Sequence, residues 1–244
     1  MDLFEMADEE LDLPENEPGL QLYLDSADPA DWERFLPLGI FRGVTTNPIL
    51  LERTGQACTL DNLEKLTRRA VENGCGEIHL QTWGRTAAEM INHGSQLALM
   101  AGLGIAVLVK VPATETGLKV AETLAASGCR ITLTGIYNPG QVLLAASFDA
   151  DFAAPYLGRL NDAGRDGMAA ILKMHDILVG SGSSTRLLVA SLRSADQVIE
   201  LASQGLDTFT IGAPVAADLL TEKLTDDAAA DFQRAADAMG GASK

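Results

Sequence analysis

Short runs rich in apolar and β-branched residues alternate with longer stretches of helical periodicity from Leu22 onward. Several of the short runs are continuously apolar, which is typical of parallel strands that are buried on both faces. Eight such strand signals cover residues 22–26, 43–47, 77–83, 106–112, 130–136, 152–158, 185–191 and 208–213.

Amphipathic segments fill most of the intervals between these runs, and several end at a glycine, which readily stops a helix. The predicted helices cover residues 60–73, 86–101, 115–127, 139–147, 166–178 and 194–204, with stops at Gly74, Gly102, Gly128 and Gly205. Eight strand signals, each followed by a helix signal, predict an α/β protein with a single (β/α)₈ TIM barrel. An open doubly wound sheet is the alternative, although it usually has fewer strands and a phosphate-binding loop after the first.

Composition is consistent with one globular domain. The 244 residues are 47% apolar and 21% charged, and they suffice for one barrel. No apolar run approaches the roughly 18 residues of a membrane helix, and the N-terminus lacks the pattern of a signal peptide. We therefore expect a cytoplasmic protein without a membrane partner. The net charge of −16 argues further against nucleic acid and anionic membranes as partners.

Half of this net charge lies in the first 19 residues, which hold eight acidic side chains and no basic ones. We interpret residues 1–20 as an acidic N-terminal extension and residues 21–244 as the barrel domain. The extension is either a short amphipathic helix that uses Leu3, Phe4, Met6 and Leu11 or a solvated tail.

The cysteines and histidines give no sign of a metal site. Three cysteines without paired spacing suit a reducing compartment, and the three histidines form no ligand pattern with them or with each other. We expect neither a metal nor another cofactor.

The most informative single residue is Lys110, within the apolar run AVLVKVP. Side chains alternate along a strand, so Lys110 shares a face with Leu108 while the neighbouring valines take the other face. If the valines meet the helices, Lys110 points into the barrel near its C-terminal mouth, where a neutral amine could attack a ketone. A structural ion pair with an acid on a neighbouring strand is the alternative.

Polar residues also fall near the ends of six other predicted strands. One such residue means little, but seven across seven strands, Lys110 included, would converge on the mouth where barrel enzymes place their sites. The six are Asp25, Asn47, Gln81, Thr134, Tyr156 and Ser191.

Five segments make the chain similar to the transaldolase family, and most similar to its compact fructose-6-phosphate aldolase branch. The combination of the VTTNP and VKVP elements is the most specific part of this resemblance. The segments are LYLDSAD, GVTTNPIL, VLVKVPATETGL, the tract from TLTGIYNPGQ to APYLGRLND, and LLVASLRS.

The resemblance implies a catalytic role for several of these residues. Lys110 matches the lysine that forms a Schiff base, and Asp25 matches the aspartate that assists proton transfer. Asn47 matches the residue that holds the donor hydroxyls, and Thr134 matches the threonine that helps to hold the catalytic water. The positions that receive the acceptor phosphate correspond to Ser191, Arg159 and Arg193. The alternative for the two arginines is a solvated rim that pairs with acidic side chains, and it applies more to Arg193 than to Arg159.

Three positions distinguish the aldolase branch from ordinary transaldolases. Ordinary members resemble one another in carrying glutamate, serine and phenylalanine where this chain has Gln81, Ala154 and Tyr156, as the aldolases do. The resemblance implies that Gln81 and Tyr156 are catalytic and that Ala154 contacts the substrate. Glutamine can only position water, whereas a tyrosine hydroxyl offers a proton, so the set favours release of a free ketone over its transfer. Arg193, as in ordinary transaldolases, and the unusual Trp83 depart from the aldolase pattern.

The resemblance therefore implies a class I aldolase that cleaves or forms fructose 6-phosphate or a similar ketose phosphate, giving dihydroxyacetone and glyceraldehyde 3-phosphate. A transaldolase acting on sugar phosphates or sulfonated sugars is the alternative, and a barrel that binds a sugar phosphate without catalysis is a third. Relatives form rings, so we expect a homo-oligomer, such as a pentamer or decamer, in which the tail helix around residues 219–232 could form an interface.

Overall fold

The computed structural model of the chain describes residues 19–240. The predicted acidic extension, including the helix suggested by Leu3, Phe4, Met6 and Leu11, lies outside the described residues except at Gly19 and Leu20.

Eight parallel strands form the centre of the fold, one for each strand signal in the sequence. They are β1 (Gln21–Asp25), β2 (Gly43–Thr45), β3 (Glu77–Gln81), β4 (Ala106–Pro112), β5 (Arg130–Ile136), β6 (Phe152–Pro155), β7 (Arg186–Leu187) and β8 (Thr208–Ile211). Sequential strands are neighbours from β1 to β7, and β8 pairs with β1. Backbone hydrogen bonds from Val189 N to Thr208 O and from Thr210 N to Val189 O join the two ends. The sheet is thus a (β/α)₈ TIM barrel, as the sequence predicts.

Helices follow the strands and cover the outside of the barrel. They are α1 (Pro29–Phe35), α2 (Pro48–Arg53), α3 (Leu60–Glu72), α4 (Ala87–Ala98), α5 (Glu115–Ala126), α6 (Gly140–Ala146), α7 (Leu157–Asp162), α8 (Gly167–Ser181), α9 (Ala195–Ser203), α10 (Ala213–Leu219) and α11 (Lys223–Ala238). The six helices that periodicity predicts are α3 to α6, α8 and α9. The unpredicted α1, α2, α7 and α10 have only six or seven residues each, too few to produce a clear periodic signal.

Several predicted boundaries are wrong, and two of them have clear local reasons. The glycine that ends the stretch after α4 is Gly104 rather than Gly102, because the chain continues as a 3₁₀ helix over Leu99–Leu103 and reaches the left-handed region at Gly104, with φ of 88°. Strand β6 ends at Pro155, because the backbone N–H groups of Leu157 and Gly158 already begin α7 and donate to carbonyl oxygens of the β7 side.

Alternation along β4 separates the two cores of the barrel. The valines at 107, 109 and 111 are buried against the helices, whereas Leu108 packs inside the barrel with Tyr23, Phe152, Ala154 and Leu188. Lys110 lies on the same strand face as Leu108, so its side chain is directed into the barrel.

The C-terminal helix α11 differs from the others because none of its residues is buried. Leu224 and Phe232 on this helix and Met239 just after it are between 73% and 83% exposed. An amphipathic helix that leaves its apolar side chains in solvent has no matching surface on the described part of its own barrel. No helix within residues 19–240 is long and apolar enough to cross a membrane.

Candidate active site

Lys110 lies at the bottom of a cavity at the C-terminal mouth of the barrel. Only 3% of the surface of Lys110 is accessible to solvent, and the cavity that the residue lines has a volume of about 370 Å³. In the strand register, Lys110 pairs with Gln81 on β3 and with Thr132 on β5. An amine at this position is reachable by a small substrate but largely shielded from bulk water, as a nucleophilic lysine requires.

Asp25 ends β1 and lines the same cavity. The Thr45 hydroxyl donates to Asp25 Oδ1 at 2.7 Å, and the Thr210 oxygen lies 2.6 Å from the Thr45 oxygen. Burial raises the pKa of Asp25 above its ordinary value, although Lys110, Thr45 and two arginines oppose the shift. A carboxyl group with a raised pKa, held in a fixed orientation, is suited to exchange protons with a bound substrate.

Gln81, Thr134 and Tyr156 line a second, smaller hollow beside the first, with a volume of about 190 Å³. The hydroxyl oxygens of Thr134 and Tyr156 are 2.9 Å apart. Asn47, Tyr156 and Arg159 line both hollows, so the two form one continuous mouth. The pair of hydroxyls can hold a water molecule or a substrate oxygen near the lysine.

Asn47 lines the cavity and is also the N-cap residue of α2. Its Oδ1 accepts from the backbone N–H groups of Ile49 and Leu50 and so caps α2. This arrangement fixes the side chain and leaves the Nδ2 group as a donor for a substrate hydroxyl.

Arg159 and Ser191 form the wall of the cavity on the side of β6 and β7. The Arg159 guanidinium lies 5.0 Å from the centre of the Tyr156 ring, and its Nη1 is 3.4 Å from the Tyr137 hydroxyl. Ser191 adopts the left-handed region, with φ of 59°, and accepts a backbone hydrogen bond from Gly158. A side chain at Gly158 would lie 2.4 Å from the Ser191 oxygen, so glycine is needed for this approach.

Arg193 also lines the cavity, but its guanidinium is already paired. Arg193 Nη2 lies 2.7 Å from Asp162 Oδ2, and both side chains are more than half exposed. This pairing agrees with the interpretation of Arg193 as a rim residue.

Two residues named from the sequence lie elsewhere. Ala154, a predicted substrate contact, is 1% exposed in the apolar cluster inside the barrel and lines neither hollow. Trp83 stacks on His93 of α4, with ring centres 4.3 Å apart, and also lines neither hollow.

Sequence reasoning missed several polar residues that line or support the cavity, and three of them bear on its chemistry. Arg53, at the end of α2, lines the first hollow and forms no ion pair within the described part of the chain. Thr45 and Thr210 support Asp25 from β2 and β8. The only sequence signal for the threonines is a polar residue inside the short buried runs GVT and TFTI, and nothing marks Arg53 before α2 is recognised.

No group of three or more histidine, cysteine or acidic side chains among residues 19–240 is arranged to hold a metal ion. The functional groups that line the mouth include an amine, carboxyl groups, hydroxyls and guanidinium groups.

Comparison with known proteins gives matches over most of the chain. The model of the Transaldolase/Fructose-6-phosphate aldolase family matches residues 22–242. A protein of Anaeromyxobacter sp. (strain K), named probable transaldolase, is 34% identical over 207 residues, covering 85% of this chain and 92% of its own. A protein of Lactiplantibacillus plantarum with the same name is 32% identical over 213 residues, covering 87% of this chain and 94% of its own.

Similarity to solved structures supports the fold alone. Two structures of a mandelate oxidase variant each match with a TM-score of 0.55, at 16% and 15% identity. Each match covers 80% of this chain, which spans only 66% and 65% of those longer chains.

The matched region contains β1 from Leu22 onward and the other seven strands, together with the lysine, the carboxyl group and the arginines of the mouth. The chain belongs to the transaldolase/fructose-6-phosphate aldolase family of enzymes.

Proposed function

We propose that this enzyme transfers a dihydroxyacetone unit from a ketose phosphate to an aldose phosphate through a Schiff base on Lys110. The observation that carries the proposal is the position of Lys110, 3% exposed beneath a cavity that Asp25, Asn47 and Arg159 also line. The relatives named probable transaldolase support transfer in particular.

The reaction follows from the groups at the mouth. The free Lys110 amine adds to the ketone carbon, and loss of water gives an iminium ion. That cation accepts the electron pair of the C3–C4 bond as it breaks, so the first aldehyde leaves and an enamine remains on the lysine. Asp25 takes the proton of the C4 hydroxyl and later returns it, while Thr134 and Tyr156 hold the water that forms or hydrolyses the imine. In transfer, the enamine attacks the aldehyde carbon of the acceptor.

A fructose-6-phosphate aldolase is the second candidate, and Gln81 and Tyr156 favour it. Gln81 cannot take a proton, and the Tyr156 hydroxyl, 2.9 Å from Thr134, could protonate the enamine before an acceptor arrives. Protonation and hydrolysis would then release free dihydroxyacetone. The sequence alone favours this candidate, but the names of the relatives favour transfer.

Product analysis with fructose 6-phosphate alone distinguishes the two candidates. We expect little free dihydroxyacetone without an acceptor aldehyde and rapid formation of a new ketose phosphate when erythrose 4-phosphate is added. Steady release of dihydroxyacetone at the same rate with and without acceptor would contradict transfer and support the aldolase.

Arg53 is expected to contribute to binding of the substrate phosphate together with Arg159. Changing Arg53 to Gln should raise KM for a phosphorylated ketose by about tenfold, because a charge-assisted hydrogen bond is lost, and should leave kcat nearly unchanged. KM for an unphosphorylated ketone should not move. Steady-state kinetics with both substrates test this expectation. Arg68→Gln on α3, which removes an exposed pair with Glu64, is the matched control; an equal effect of the two changes would contradict the role.

We further propose that the enzyme is a homo-oligomeric ring, with the exposed apolar face of α11 packed on a second copy. Phe232, which is 73% exposed, is the largest apolar side chain on this helix. Phe232→Asp should shift the sedimentation of the protein toward that of the 25.8 kDa chain. Asp227→Asn, on the same helix, should not. A wild-type protein that sediments as a monomer would contradict the proposal.

The cytoplasmic location stays a prediction from the sequence.

A further inference from the structure

Beneath Lys110, the interior of the barrel contains a buried carboxylate that the proposed reaction does not use. Glu77 on β3 is fully buried, and it accepts a hydrogen bond of 2.5 Å from the Tyr23 hydroxyl. Arg42 and Arg130 each lie within 3.2 Å of its Oε1. Burial raises the pKa of Glu77, but the hydrogen bond from Tyr23 and the charge of Arg130 oppose burial, and the pKa lies below its ordinary value. Glu77 is therefore a fixed negative charge.

His79 lies above Glu77 on the same strand and is also fully buried. Its Nε2 is 3.9 Å from Glu77 Oε2, which is longer than a hydrogen bond, and has no closer hydrogen-bond partner among residues 19–240. Its Nδ1 lies 2.8 Å from the Thr132 hydroxyl oxygen. The rings of Tyr23 and Phe152 enclose the imidazole, with centres 4.9 and 5.1 Å away.

These contacts select one protonation state and one tautomer of His79. Burial lowers the pKa of His79, although Glu77 opposes the shift, so the ring is neutral at physiological pH. A neutral imidazole has one N–H, and the field of the Glu77 carboxylate favours that proton on Nε2. Nδ1 is then an acceptor, so the Thr132 hydroxyl donates to it.

Thr132 lies beside the lysine in the strand register, and among residues 19–240 its hydroxyl is hydrogen-bonded to His79 and not to Lys110. Thr132 and Lys110 are paired residues of β5 and β4, so their side chains leave the same face of the sheet about 5 Å apart. With its proton directed to His79, the Thr132 oxygen can offer only lone pairs to the lysine amine.

We propose that Glu77, His79 and Thr132 form a buried relay that fixes the Thr132 hydroxyl as an acceptor beside Lys110 and so orients the amine toward the substrate. His79 and Thr132 are positioning residues, since neither lines the two hollows of the mouth. The inference rests on the imine chemistry proposed above for Lys110.

Pairs of substitutions separate this role from simple packing. Thr132→Val keeps the shape and removes the hydroxyl, whereas Thr132→Ser keeps the hydroxyl. His79→Leu removes both ring nitrogens, whereas His79→Gln can still donate toward Glu77 and accept from Thr132. We expect Thr132→Val and His79→Leu each to lower kcat and the rate of borohydride trapping with dihydroxyacetone by about tenfold, the effect of one hydrogen bond, with KM unchanged. Thr132→Ser and His79→Gln should keep most of the wild-type rate.

The double variant Thr132→Val, His79→Leu should be no slower than the slower single variant, because both changes break one relay. Thermal unfolding shows which variants fold. If His79→Leu does not fold, the isosteric Thr132→Val variant still tests the relay. Wild-type rates in folded Thr132→Val and His79→Leu variants would overturn the relay. A double variant whose loss of rate equals the two single losses combined would also overturn it. If the wild type itself is not trapped by borohydride, the imine chemistry fails and the inference falls with it.

Discussion

Lys110→Met is expected to lower kcat by about 10⁴-fold, because methionine matches lysine in length but has no amine with which to form an imine. Lys110 is the only lysine that lines the mouth within the described part of the chain, so no other amine can substitute for it. The initial rate of ketose phosphate turnover, measured at saturating substrate, tests the prediction.

The folded state should survive this change. Methionine keeps the length of the side chain, but the buried Asp25 loses the neighbouring charge of Lys110, so the thermal midpoint of Lys110→Met should be equal to or somewhat below that of the wild type. Lys119→Met on α5 is the matched control, since this exposed lysine pairs only with Glu115 within the described residues. The account would be wrong if a folded Lys110→Met variant kept full activity, or if the Lys119 control lost as much.

Asp25→Asn is expected to lower kcat by about 10²- to 10⁴-fold, the range found for loss of a positioned acid or base. Asparagine still accepts the hydrogen bond from Thr45, so the cavity should keep its shape, but it cannot carry a proton. In the wild type, the acid limb of the kcat/KM profile should lie above the pH at which an ordinary aspartate titrates, because burial raises the pKa of Asp25. The variant should lose that limb.

The same substitution has a predicted sign for stability. A raised pKa in the folded state means that folding favours protonated Asp25, so its contribution to stability is present below the unfolded pKa and is lost as pH rises through the folded pKa. An asparagine side chain carries no such penalty, and at neutral pH the variant should unfold at an equal or higher temperature. Asp28→Asn is the control, since Asp28 lines the same cavity but caps α1, which asparagine also does well. An inactive Asp28 variant beside an active Asp25 variant would reverse the assignment.

The sequence predicts the barrel because its strands are buried apolar runs and its longer helices are amphipathic. Lys110 is recognisable for the same reason: alternation along AVLVKVP puts one charged side chain on an otherwise apolar inner face. Helices α1, α2, α7 and α10 are not predicted because their six or seven residues complete fewer than two turns, which gives a weak periodic signal. Helix α6 is as short, but it lies within the predicted amphipathic segment 139–147. Strand β7 is shorter than predicted because regular pairing ends at Leu187, and only isolated bridges continue at Val189 and Ala190.

The parts of the site that sequence could not predict depend on contacts between distant segments. No local sequence pattern indicates that the Thr45 hydroxyl donates a hydrogen bond to Asp25, 20 residues away. Nor does one indicate that the guanidinium of Arg193 forms an ion pair with Asp162. Arg53 belongs to the cavity only because α2 turns its last residues toward the mouth. Resemblance alone names Ala154 as a substrate contact, but its strand position directs it into the apolar interior.

Trapping of the covalent intermediate tests the central claim most directly. The wild-type enzyme is incubated with dihydroxyacetone and borohydride, digested with a protease and mapped by mass spectrometry, with Lys110→Met treated in parallel. The account predicts one reduced adduct, on the peptide that contains Lys110, and none in the variant. An adduct on another lysine would contradict the account. So would an enzyme that turns over its substrate at the full rate but forms no borohydride-reduced adduct with any ketone substrate.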